Sequence, residues 1–325
     1  MRLFGVTMVR NEADVVEAFV RHNLGVLDGL ALVDHGSIDG TAEILAKLQA
    51  EGLPLRVTPD PEPAYRQSAT MTALARHALA RDAADFVFAL DADEFLKVPS
   101  RSTLESALAE VPPGTHAVMR WLTYVPDAFE GAPGAFGPGH LWWRVKNDRN
   151  PLHKVIVGRK FLERPGESIA MGNHLVLSAA DAAPRPHARL RQDVASLGHC
   201  PVRSRDQFVG KIVVGYLAHL LSRPTDRLLA RHWRELYDEL RAGADFDEER
   251  LREIASNYGL PRQQWQRAAD IELTEDPVAL TAEQRYRVEV VGDPLRLLMR
   301  FTEALITAKQ APVANATGAT QYYTF

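Results

Sequence analysis

The sequence predicts an α/β protein with a mostly parallel sheet, flanking helices and a helical region at the C-terminal end. Between residues 3 and 90, short apolar runs at 3–9, 30–33, 55–57 and 86–90 alternate with amphipathic segments of helical period. Strands and helices in such alternation are typical of parallel strands joined by right-handed crossovers. After residue 206 the pattern becomes helical.

The apolar runs have the character of buried strands. The run at 86–90 is Phe-Val-Phe-Ala-Leu, which is unbroken, rich in strand-favouring residues and too short for a helix. Such runs are typical of strands covered on both faces of a parallel sheet. The helices between them are predicted at 15–24, 42–49 and 68–81, where apolar residues recur every three or four positions.

The later elements are less regular. A helix at 102–109, strands at 117–122, 142–144, 154–157 and 175–177, and a mobile glycine- and proline-rich loop at 131–139 are predicted. Helices follow at 227–241, 248–258 and 293–309. We therefore divide the chain into a sheet-containing domain, 1–205, a helical region, 206–310, and a flexible tail, 311–325.

Composition limits the function classes. The 325 residues include 38 basic and 42 acidic ones, and a net charge of −4 gives no footprint for nucleic acid or an acidic membrane. Cys200 is the only cysteine, so an internal disulfide is excluded and a reducing compartment fits. The N-terminal residues lack the features of a signal peptide and no apolar run reaches transmembrane length, which predicts a cytoplasmic protein.

Three acids, Asp91, Asp93 and Glu94, directly follow the run at 86–90. In open α/β sheets ligands bind beyond the carboxyl ends of the strands, so chemistry is expected here. On an extended segment Asp91 and Asp93 would point the same way, because side chains repeat every second residue. Two carboxylates so placed can share a hard divalent cation such as Mg²⁺ or Mn²⁺. A polar exit from strand to loop is the simpler interpretation of the same residues.

A turn rich in glycine and aspartate, 34–41, follows the second predicted strand. Asp34 at the strand end can accept a hydrogen bond from a ribose hydroxyl or a base N–H, and the Gly36-Ser37 turn lets the backbone approach a ligand. A capped turn before a helix is the alternative. The chain has no Walker loop, no His-Glu-x-x-His and no Gly-x-Ser-x-Gly elbow, which argues against those reaction classes.

Three segments together resemble the family 2-type glycosyltransferases of GT-A fold: Val9-Arg10-Asn11-Glu12, the turn at 34–41, and Leu90-Asp91-Ala92-Asp93-Glu94-Phe95-Leu96. Their order, spacing and placement at strand ends agree with the bacterial branch that has an Asp-Ala-Asp-Glu-Phe signature. The resemblance implies a GT-A-like Rossmann-type domain over 1–205. It also implies a metal-dependent glycosyltransferase that moves a sugar from a nucleotide-diphosphate-sugar to an acceptor hydroxyl with inversion. A UDP-sugar is the first expectation for this donor.

The resemblance also implies roles for residues of the donor site. Asp34 would hold the uridine or ribose, and Asp91 and Asp93 would hold the metal-bound diphosphate, whose charge a divalent cation stabilises as a Lewis acid. Arg66 matches the geometry of phosphates, although a solvated residue at a helix start is equally consistent. The donor site implied in this way comprises Thr7, Arg10, Asn11, Asp34, Ser37, Arg66, Asp91, Ala92 and Asp93.

A third metal ligand and a catalytic base are also needed. A neutral imidazole from His199 can complete a cation site with Asp91 and Asp93, and a hydrogen-bonded loop histidine is the alternative. Inversion requires a base that takes the proton of the acceptor hydroxyl. We find no match to the family's usual Glu-Asp pair before a helix, which leaves the candidates His174, Asp193 and Asp148, with His174 first.

The acceptor side is expected to contain aromatic residues. Trp142 and Trp143 can offer an apolar platform to a sugar face, or they can be core residues of a strand. Trp121 and Lys154 are sparser matches to the family and are assigned to the same side. The expected partners are a nucleotide-sugar donor and a glycan, lipid-linked or small-molecule acceptor, with no nucleic acid. The C-terminal helices either cover the sheet or form a homo-oligomer.

Two other functions stay open. A phosphatase or phosphotransferase of the haloacid dehalogenase type would use Asp91 as a nucleophile. That class places its motif on the first strand with Thr or Val after the second aspartate, whereas Glu94 follows here on the fourth strand. A nucleotide-sugar-binding protein that has lost its base is the third interpretation.

Overall fold

A computed structural model describes residues 1–129, 136–222, 231–280, 284–286 and 288–310. Its strands are β1 Leu3–Val9, β2 Gly29–Asp34, β3 Leu55–Pro59, β4 Phe86–Ala89, β5 Glu94–Lys97, β6 His116–Val125, β7 Trp143–Val145, β8 His153–Gly158, β9 Glu167–Ile169, β10 Val176–Ser178, β11 His187–Arg189, β12 Ser196–His199 and β13 Leu273–Glu275. Its helices are α1 Val16–Leu24, α2 Thr41–Ala50, α3 Gln67–Ala80, α4 Arg101–Ala109, α5 Arg205–Ser222, α6 Arg231–Arg241, α7 Glu248–Ser256 and α8 Pro294–Gln310. The predicted α/β class is confirmed, and it agrees with a GT-A-like Rossmann-type fold.

The first part of the sheet is parallel. Its strands lie in the order β3-β2-β1-β4, with Val9 beside Asp34 and Val6 beside Ala89. Every residue of β2 is buried, as expected for a strand covered on both faces. Because these strands run in one direction, their carboxyl ends meet at one edge of the sheet, which is where ligands bind in open α/β folds.

Beyond β4 the sheet becomes mixed. β8 lies between β4 and β6 and runs antiparallel to both. On its other side β6 pairs with β12 in parallel, and β12 pairs antiparallel with β5, so that His199 lies opposite Glu94. These pairings bring Lys154 of β8 and His199 of β12 close to the acidic segment that follows β4.

Helices cover the parallel strands on both faces. On one face α1 and α2 contribute Phe19, Ile44 and Leu48 to a core with Leu32 of β2. On the other face α3 contributes Met71, Leu74, Ala75, Ala78 and Leu79. Burial of these apolar side chains is the main force that holds the layers together. The layers leave the carboxyl edge of the strands open for polar groups.

The helical region after residue 205 is tied to the sheet. α5 packs against α6 and α8, and β13 pairs with β7 so that Leu273 lies opposite Val145. Asp276, directly after β13, accepts a hydrogen bond from Arg144 Nε at 2.6 Å and forms an ion pair with Lys97. The predicted boundary at 205 coincides with the start of α5, and the division into two domains stays a prediction, as does association through the C-terminal helices.

Several predicted elements extend outside the described residues. The loop predicted at 131–139 is described only from 136, the helix predicted at 227–241 only from 231, and the tail at 311–325 lies wholly outside. Phe136 is buried and stacks on Phe95, with ring centroids 5.3 Å apart.

None of the helices in the described ranges combines the length and the apolar character needed to cross a membrane.

Two predictions about local conformation are wrong. Residues 91–94 form a turn rather than an extended segment, because the Glu94 N–H donates to the Asp91 carbonyl at 3.1 Å and Glu94 begins the new strand β5. The carboxylates of Asp91 and Asp93 consequently contact different partners. Trp142 does not belong to a strand, because its backbone is helical, with φ −96° and ψ −48°, and β7 begins at Trp143.

Candidate functional site

A cavity of about 360 Å³ opens at the carboxyl ends of β1 and β4. Its lining has two parts of different chemistry. The charged half carries ionisable and amide side chains, namely Arg10, Asn11, Glu12, Gln67, Asp91, Asp93, Lys154 and Lys211. The ring half carries aromatic and imidazole side chains, namely Tyr65, Trp121, His174, His199, His219, His232, Trp233 and Tyr258.

Asp91 is surrounded by hydrogen-bond donors. Its Oδ1 accepts from Gln67 Nε2 at 3.1 Å and from Asn173 Nδ2 at 2.9 Å. Its Oδ2 accepts from Lys154 Nζ. Asn173 has a φ of 61°, a backbone conformation that asparagine tolerates better than most residues. These contacts fix the carboxylate, whose side chain remains 31% exposed.

Lys154 and Glu94 form a buried pair behind Asp91. The Nζ of Lys154 lies 3.0 Å from Glu94 Oε1, and neither side chain is more than 1% exposed. Burial raises the pKa of Glu94 to about 8. Burial acts to lower the pKa of Lys154, but Asp91 and Glu94 outweigh it and raise that pKa above its ordinary value. Lys154 also donates to the Gly172 carbonyl at 2.9 Å, so this ammonium is charged and held from several sides.

Asp93 is buried, with cationic groups close by. Its Oδ2 accepts from Lys211 Nζ at 2.6 Å and lies 3.7 Å from Arg203 Nη1. Its Oδ1 faces His199 Nε2 at 3.6 Å. Burial acts to raise the pKa of Asp93, but Lys211 leads the neighbours that outweigh it and hold that pKa well below its usual range. Asp93 therefore stays ionised.

Arg203 neutralises a second group of acids at the edge of the charged half. Its side chain is 1% exposed, and its Nε donates to Asp14 Oδ2 at 2.6 Å. Its Nη2 donates to Glu12. Burial nevertheless raises the pKa of Glu12 to about 7. The segment just before α5 thus supplies a guanidinium to acids that follow β1.

The carboxylates of the charged half and its neighbours are closely matched by cations. The contacts described above join five carboxylates to three cations, namely Glu12, Asp14, Asp91, Asp93 and Glu94 with Lys154, Lys211 and Arg203. Arg10 adds a fourth cation to the lining. Burial raises the pKa of Glu12 to about 7 and that of Glu94 to about 8, so these two acids carry less than a full negative charge near pH 7.

The donor set fits a divalent cation shared with a phosphate ligand, and not one held by the protein alone. In the part of the chain that the structure describes, no three His, Cys, Asp or Glu side chains form a group that could hold a metal ion, so the predicted set of Asp91, Asp93 and His199 is not assembled. Asp93 and His199 do face each other at 3.6 Å, too far for a hydrogen bond. Such cations are often bound by one or two carboxylates together with substrate phosphates.

Trp121 lies at the centre of the ring half. Its ring centroid is 3.8 Å from that of His199, 5.8 Å from that of His174 and 6.1 Å from that of Tyr258. Burial, followed by the nearby Lys154, lowers the pKa of His174 to about 4. Burial likewise holds the pKa of His199 well below its ordinary value. These two imidazoles are therefore neutral near pH 7, and they add no charge to the ring half.

Among the residues predicted for the donor site, the structure places Arg10, Asn11, Asp91, Ala92 and Asp93 in the cavity lining. The guanidinium of Arg10 is already engaged, since its Nε donates to the His35 carbonyl at 2.5 Å and its other nitrogens donate to the carbonyls of Glu62 and Pro63 at 3.2 Å. Arg10 therefore also positions the backbone that leads into α3.

The other predicted donor residues do not line the cavity. Thr7 is fully buried within β1. Asp34 is 8% exposed, and its Oδ1 accepts from the Ser37 N–H at 3.1 Å, as a turn residue would. Arg66 is 54% exposed and paired with Glu62. Their predicted contacts with a nucleotide stay predictions.

Two of the three candidate bases lie away from the cavity. Asp193 is 65% exposed and pairs with Arg191 on the surface. Asp148 accepts from the backbone N–H groups of Thr123 and Asn150, both at 2.8 Å, and so it shapes a loop. His174 does line the cavity. We retain His174 alone as a base candidate.

The residues predicted for the acceptor side are divided in the same way. Trp121 and Lys154 line the cavity, whereas Trp142 and Trp143 do not. Trp142 is 37% exposed, and Trp143 pairs with Glu275 in the β7–β13 ladder. The sugar platform proposed for these two tryptophans is therefore not in the cavity.

Sequence reasoning missed most partners of the two aspartates. Gln67, Asn173, Arg203 and Lys211 come from four separate segments, and none lies in the acidic motif. Lys211 did carry a signal, because it is the only charged residue in the otherwise apolar stretch 208–218. A lone charge on an apolar helix is expected to have a buried partner.

No family model matches the chain, and no curated protein matches its sequence. Among solved structures, the mannosyltransferase PcManGT from Pyrobaculum calidifontis, in complex with GDP-Man and Mn²⁺, is 16% identical, with 75% of this chain and 76% of that chain covered and a TM-score of 0.39. TarS 1–349 from S. aureus is 14% identical, with 74% and 71% covered and a TM-score of 0.34. Similarities at this level carry no assignment of function, which has to come from the site itself.

Proposed function

We propose that the chain is a glycosyltransferase that takes a sugar from a nucleotide-diphosphate-sugar, with UDP as the first choice of nucleotide, and transfers it to an acceptor hydroxyl. The observation that supports this most is the junction, in one cavity, of a cluster of carboxylates and cations at strand ends with a wall of neutral rings. A departing diphosphate needs fixed charges of the first kind, and the apolar face of a sugar packs well on rings of the second kind.

In the proposed complex the nucleotide lies over the carboxyl ends of β1 and β2, and its diphosphate reaches the turn at 91–94. Arg10 lines the cavity at the end of β1, and Asp34 ends the neighbouring strand. Asp34 would accept a hydrogen bond from the ribose or base once the ligand is present. Mn²⁺ or Mg²⁺, held by Asp93 and His199 together with phosphate oxygens, would stabilise the charge of the leaving diphosphate.

His174 is the proposed base. Its Nδ1 lies 2.9 Å from the His153 carbonyl, a contact that places the proton on Nδ1 and leaves Nε2 able to accept one. With a pKa of about 4, it is a weak base in the empty site. Proton transfer would therefore accompany formation of the new glycosidic bond rather than precede it. Attack from the face opposite the diphosphate would invert the anomeric carbon.

The ring half is the proposed acceptor side. Trp121, His174 and Tyr258 would contact the transferred sugar and an acceptor that is a glycan, a lipid-linked sugar or a small molecule. Trp121 is 4% exposed and held by neighbouring rings, so this wall is formed before any ligand arrives. A preformed wall costs little entropy when it binds.

A phosphatase mechanism with Asp91 as the nucleophile finds less support. Both oxygens of that carboxylate accept hydrogen bonds, from Lys154 on one side and from two amides on the other. An attacking oxygen has to be free to approach phosphorus. The motif also follows the fourth strand of the chain and not the first.

Incubation with a panel of sugar nucleotides and Mn²⁺ tests the proposal. We expect slow hydrolysis of one UDP- or GDP-sugar, measured as released nucleoside diphosphate. His174→Ala should slow this reaction and leave nucleotide affinity unchanged, and Asp193→Asn serves as the matched surface control. Phosphate release from simple esters would instead support a phosphatase. Binding without turnover would support a binding protein, and absence of any binding would contradict the proposal.

A further inference from the structure

We propose that Lys211 is an exchangeable counter-ion. In the empty site it neutralises Asp93, and when the donor arrives it transfers to the diphosphate while a divalent cation takes its place on that carboxylate. The metal ion and the nucleoside diphosphate would then bind tightly only together. This inference rests on the proposed function and deepens it, because it assigns a role to a residue outside the acidic motif.

The first support is the contact itself. Lys211 Nζ lies 2.6 Å from Asp93 Oδ2, which is the carboxylate best placed to receive a cation beside His199. A cation that binds Asp93 from the cavity has to approach this ammonium, and like charges at such a distance repel strongly. Metal alone is therefore expected to bind weakly while Lys211 occupies the carboxylate.

The second support is the difference between the two lysines of the charged half. Lys154 is 1% exposed and is held by two carboxylates and the Gly172 carbonyl. Lys211 is 19% exposed, and its second carboxylate, that of Glu12, is 3.9 Å away. A lysine side chain on a flexible four-carbon stem can change partner when only one strong contact holds it. Lys154 lacks that freedom.

The third support is the charge of Asp93 itself. Transfer of Lys211 to a phosphate would leave this buried carboxylate without its closest cation, and a divalent cation would replace it. The phosphate in turn supplies both an acceptor for the ammonium and oxygen ligands for the metal. Binding of the diphosphate would thus draw the Lys211 ammonium away from the metal position, and binding of the metal ion would free that ammonium for the diphosphate.

Such an exchange predicts a thermodynamic coupling that can be measured without turnover. We expect Mn²⁺ to bind the parent protein at least about tenfold more tightly in the presence of saturating UDP or GDP than alone, and the nucleotide to gain the same factor from Mn²⁺. Isothermal titration, with free Mn²⁺ followed by electron paramagnetic resonance, measures both arms.

Lys211→Met is the decisive variant, because it keeps the length of the side chain and removes the charge. It should bind Mn²⁺ alone at least about tenfold more tightly than the parent does, while the nucleotide gains less from the metal. Lys146→Met, which removes a half-exposed lysine paired with Glu272 at 2.5 Å, is the matched control and should bind like the parent. Circular dichroism checks that each variant is folded.

Lys211→Arg is the second variant in case Lys211→Met does not fold. A guanidinium can hold the carboxylate by two hydrogen bonds, so this variant should bind Mn²⁺ alone less well than the parent. Unchanged affinity for Mn²⁺ alone in the folded variant, or equal affinity of the parent for Mn²⁺ with and without nucleotide, would overturn the inference. Failure of every sugar nucleotide to bind would instead contradict the proposed function. The affinity of the variants for Mn²⁺ alone would still decide whether Lys211 is the counter-ion of Asp93.

Discussion

The two halves of the cavity differ in the protonation state of their ionisable groups. In the charged half, buried groups such as Asp93 and Lys154 keep their charge because an opposite charge touches each of them. In the ring half, the half-buried His174 and the buried His199 stay neutral, because burial and the nearby Lys154 together outweigh the attraction of Asp91 and Asp93. The comparison teaches that burial alone does not decide protonation in this site; the balance of the neighbouring charges also does.

The halves also differ in what removal of one group leaves behind. Loss of a partner in the charged half leaves a buried charge without compensation, which is costly. A substitution that shortens a side chain of the ring half leaves a small cavity or one missing hydrogen bond, which costs much less free energy of unfolding. Substitutions should therefore have larger effects on the charged side, and four experiments examine that contrast.

Arg203→Met should have the largest effect. It leaves Glu12, Asp14 and the nearby Asp93 with less compensation in a buried setting, and breaking such a network costs about 3–5 kcal/mol of unfolding free energy. Urea denaturation measures the loss. Arg191→Met, which removes a surface pair with Asp193, should leave the midpoint nearly unchanged. Equal midpoints for both variants would refute the structural importance of the Arg203 network.

Asp93→Ala should abolish the gain in nucleotide affinity that Mn²⁺ provides. Loss of a direct ligand is expected to cost at least the roughly tenfold to 100-fold that loss of an outer-shell partner costs. Calorimetry with UDP or GDP, with and without Mn²⁺, measures this gain in the parent and the variant. If the parent shows equal affinities under the two conditions, Asp93 has no metal role and only the charge pairing described above remains.

Protonation of the neutral histidines should make an unfavourable contribution to stability as the pH is lowered. Burial is the main cause that lowers the pKa of His174 and of the buried His35 to about 4. Because the folded pKa values lie below the unfolded one, the stabilisation is present above about pH 6.5 and is lost as the pH falls toward 4, by about 1–3 kcal/mol per group.

Two acids beside the cavity act in the opposite sense. Burial raises the pKa of Glu12 to about 7 and that of Glu94 to about 8, so their protonation in the folded state adds stability as the pH falls. Asp93 remains ionised throughout this interval, because its pKa lies well below its usual range. Chemical denaturation at pH 7, 6, 5 and 4 gives the profile, and His35→Asn should shift it, because this variant should lose less stability than the parent on acidification. A profile with the same slope in that variant would assign the acid sensitivity to other groups.

Tyr258→Phe should have the smallest effect. Tyr258 lines the ring half near His199, with ring centroids 5.4 Å apart, and the change removes a single hydroxyl. We expect the activation free energy of sugar transfer to rise by about 0.5–1.5 kcal/mol, so that the rate falls by up to roughly tenfold. Affinity for UDP or GDP should not change. A loss of nucleotide affinity as large as that of Asp93→Ala would mean that the two halves do not divide the work as proposed.

The parallel part of the fold could be predicted from local pattern alone. The apolar runs that became β1, β2 and β4 need cover on both faces, and the segments between them have the period of helices. β5 and β12 escaped prediction because each is only four residues long and is held by pairing with distant strands, β5 with β12 and β12 with both β5 and β6. Such pairing joins residues far apart in the sequence, and no local pattern records it.

The site could be predicted only where chemistry follows a strand directly. Asp91 and Asp93 fall at the end of β4, so their place at the cavity followed from the fold class. Their partners depend on which later segment docks there, and Gln67, Asn173 and Lys211 become neighbours only in three dimensions. The prediction of an extended segment at 91–94 was wrong for a local reason, since the backbone turns immediately after Leu90.

The counter-ions of Asp93 and Glu12 come from much later in the chain than the acids themselves. Lys211 is 118 positions beyond Asp93, and Arg203 is 191 positions beyond Glu12. During synthesis the segments that bear the acids leave the ribosome first, and contacts of such long separation form late in folding. Until α5 docks, these carboxylates have to remain hydrated. Opening of α5 in the native protein should likewise admit water to the acids. The rate of amide hydrogen exchange in α5 would therefore measure how often water enters this part of the cavity.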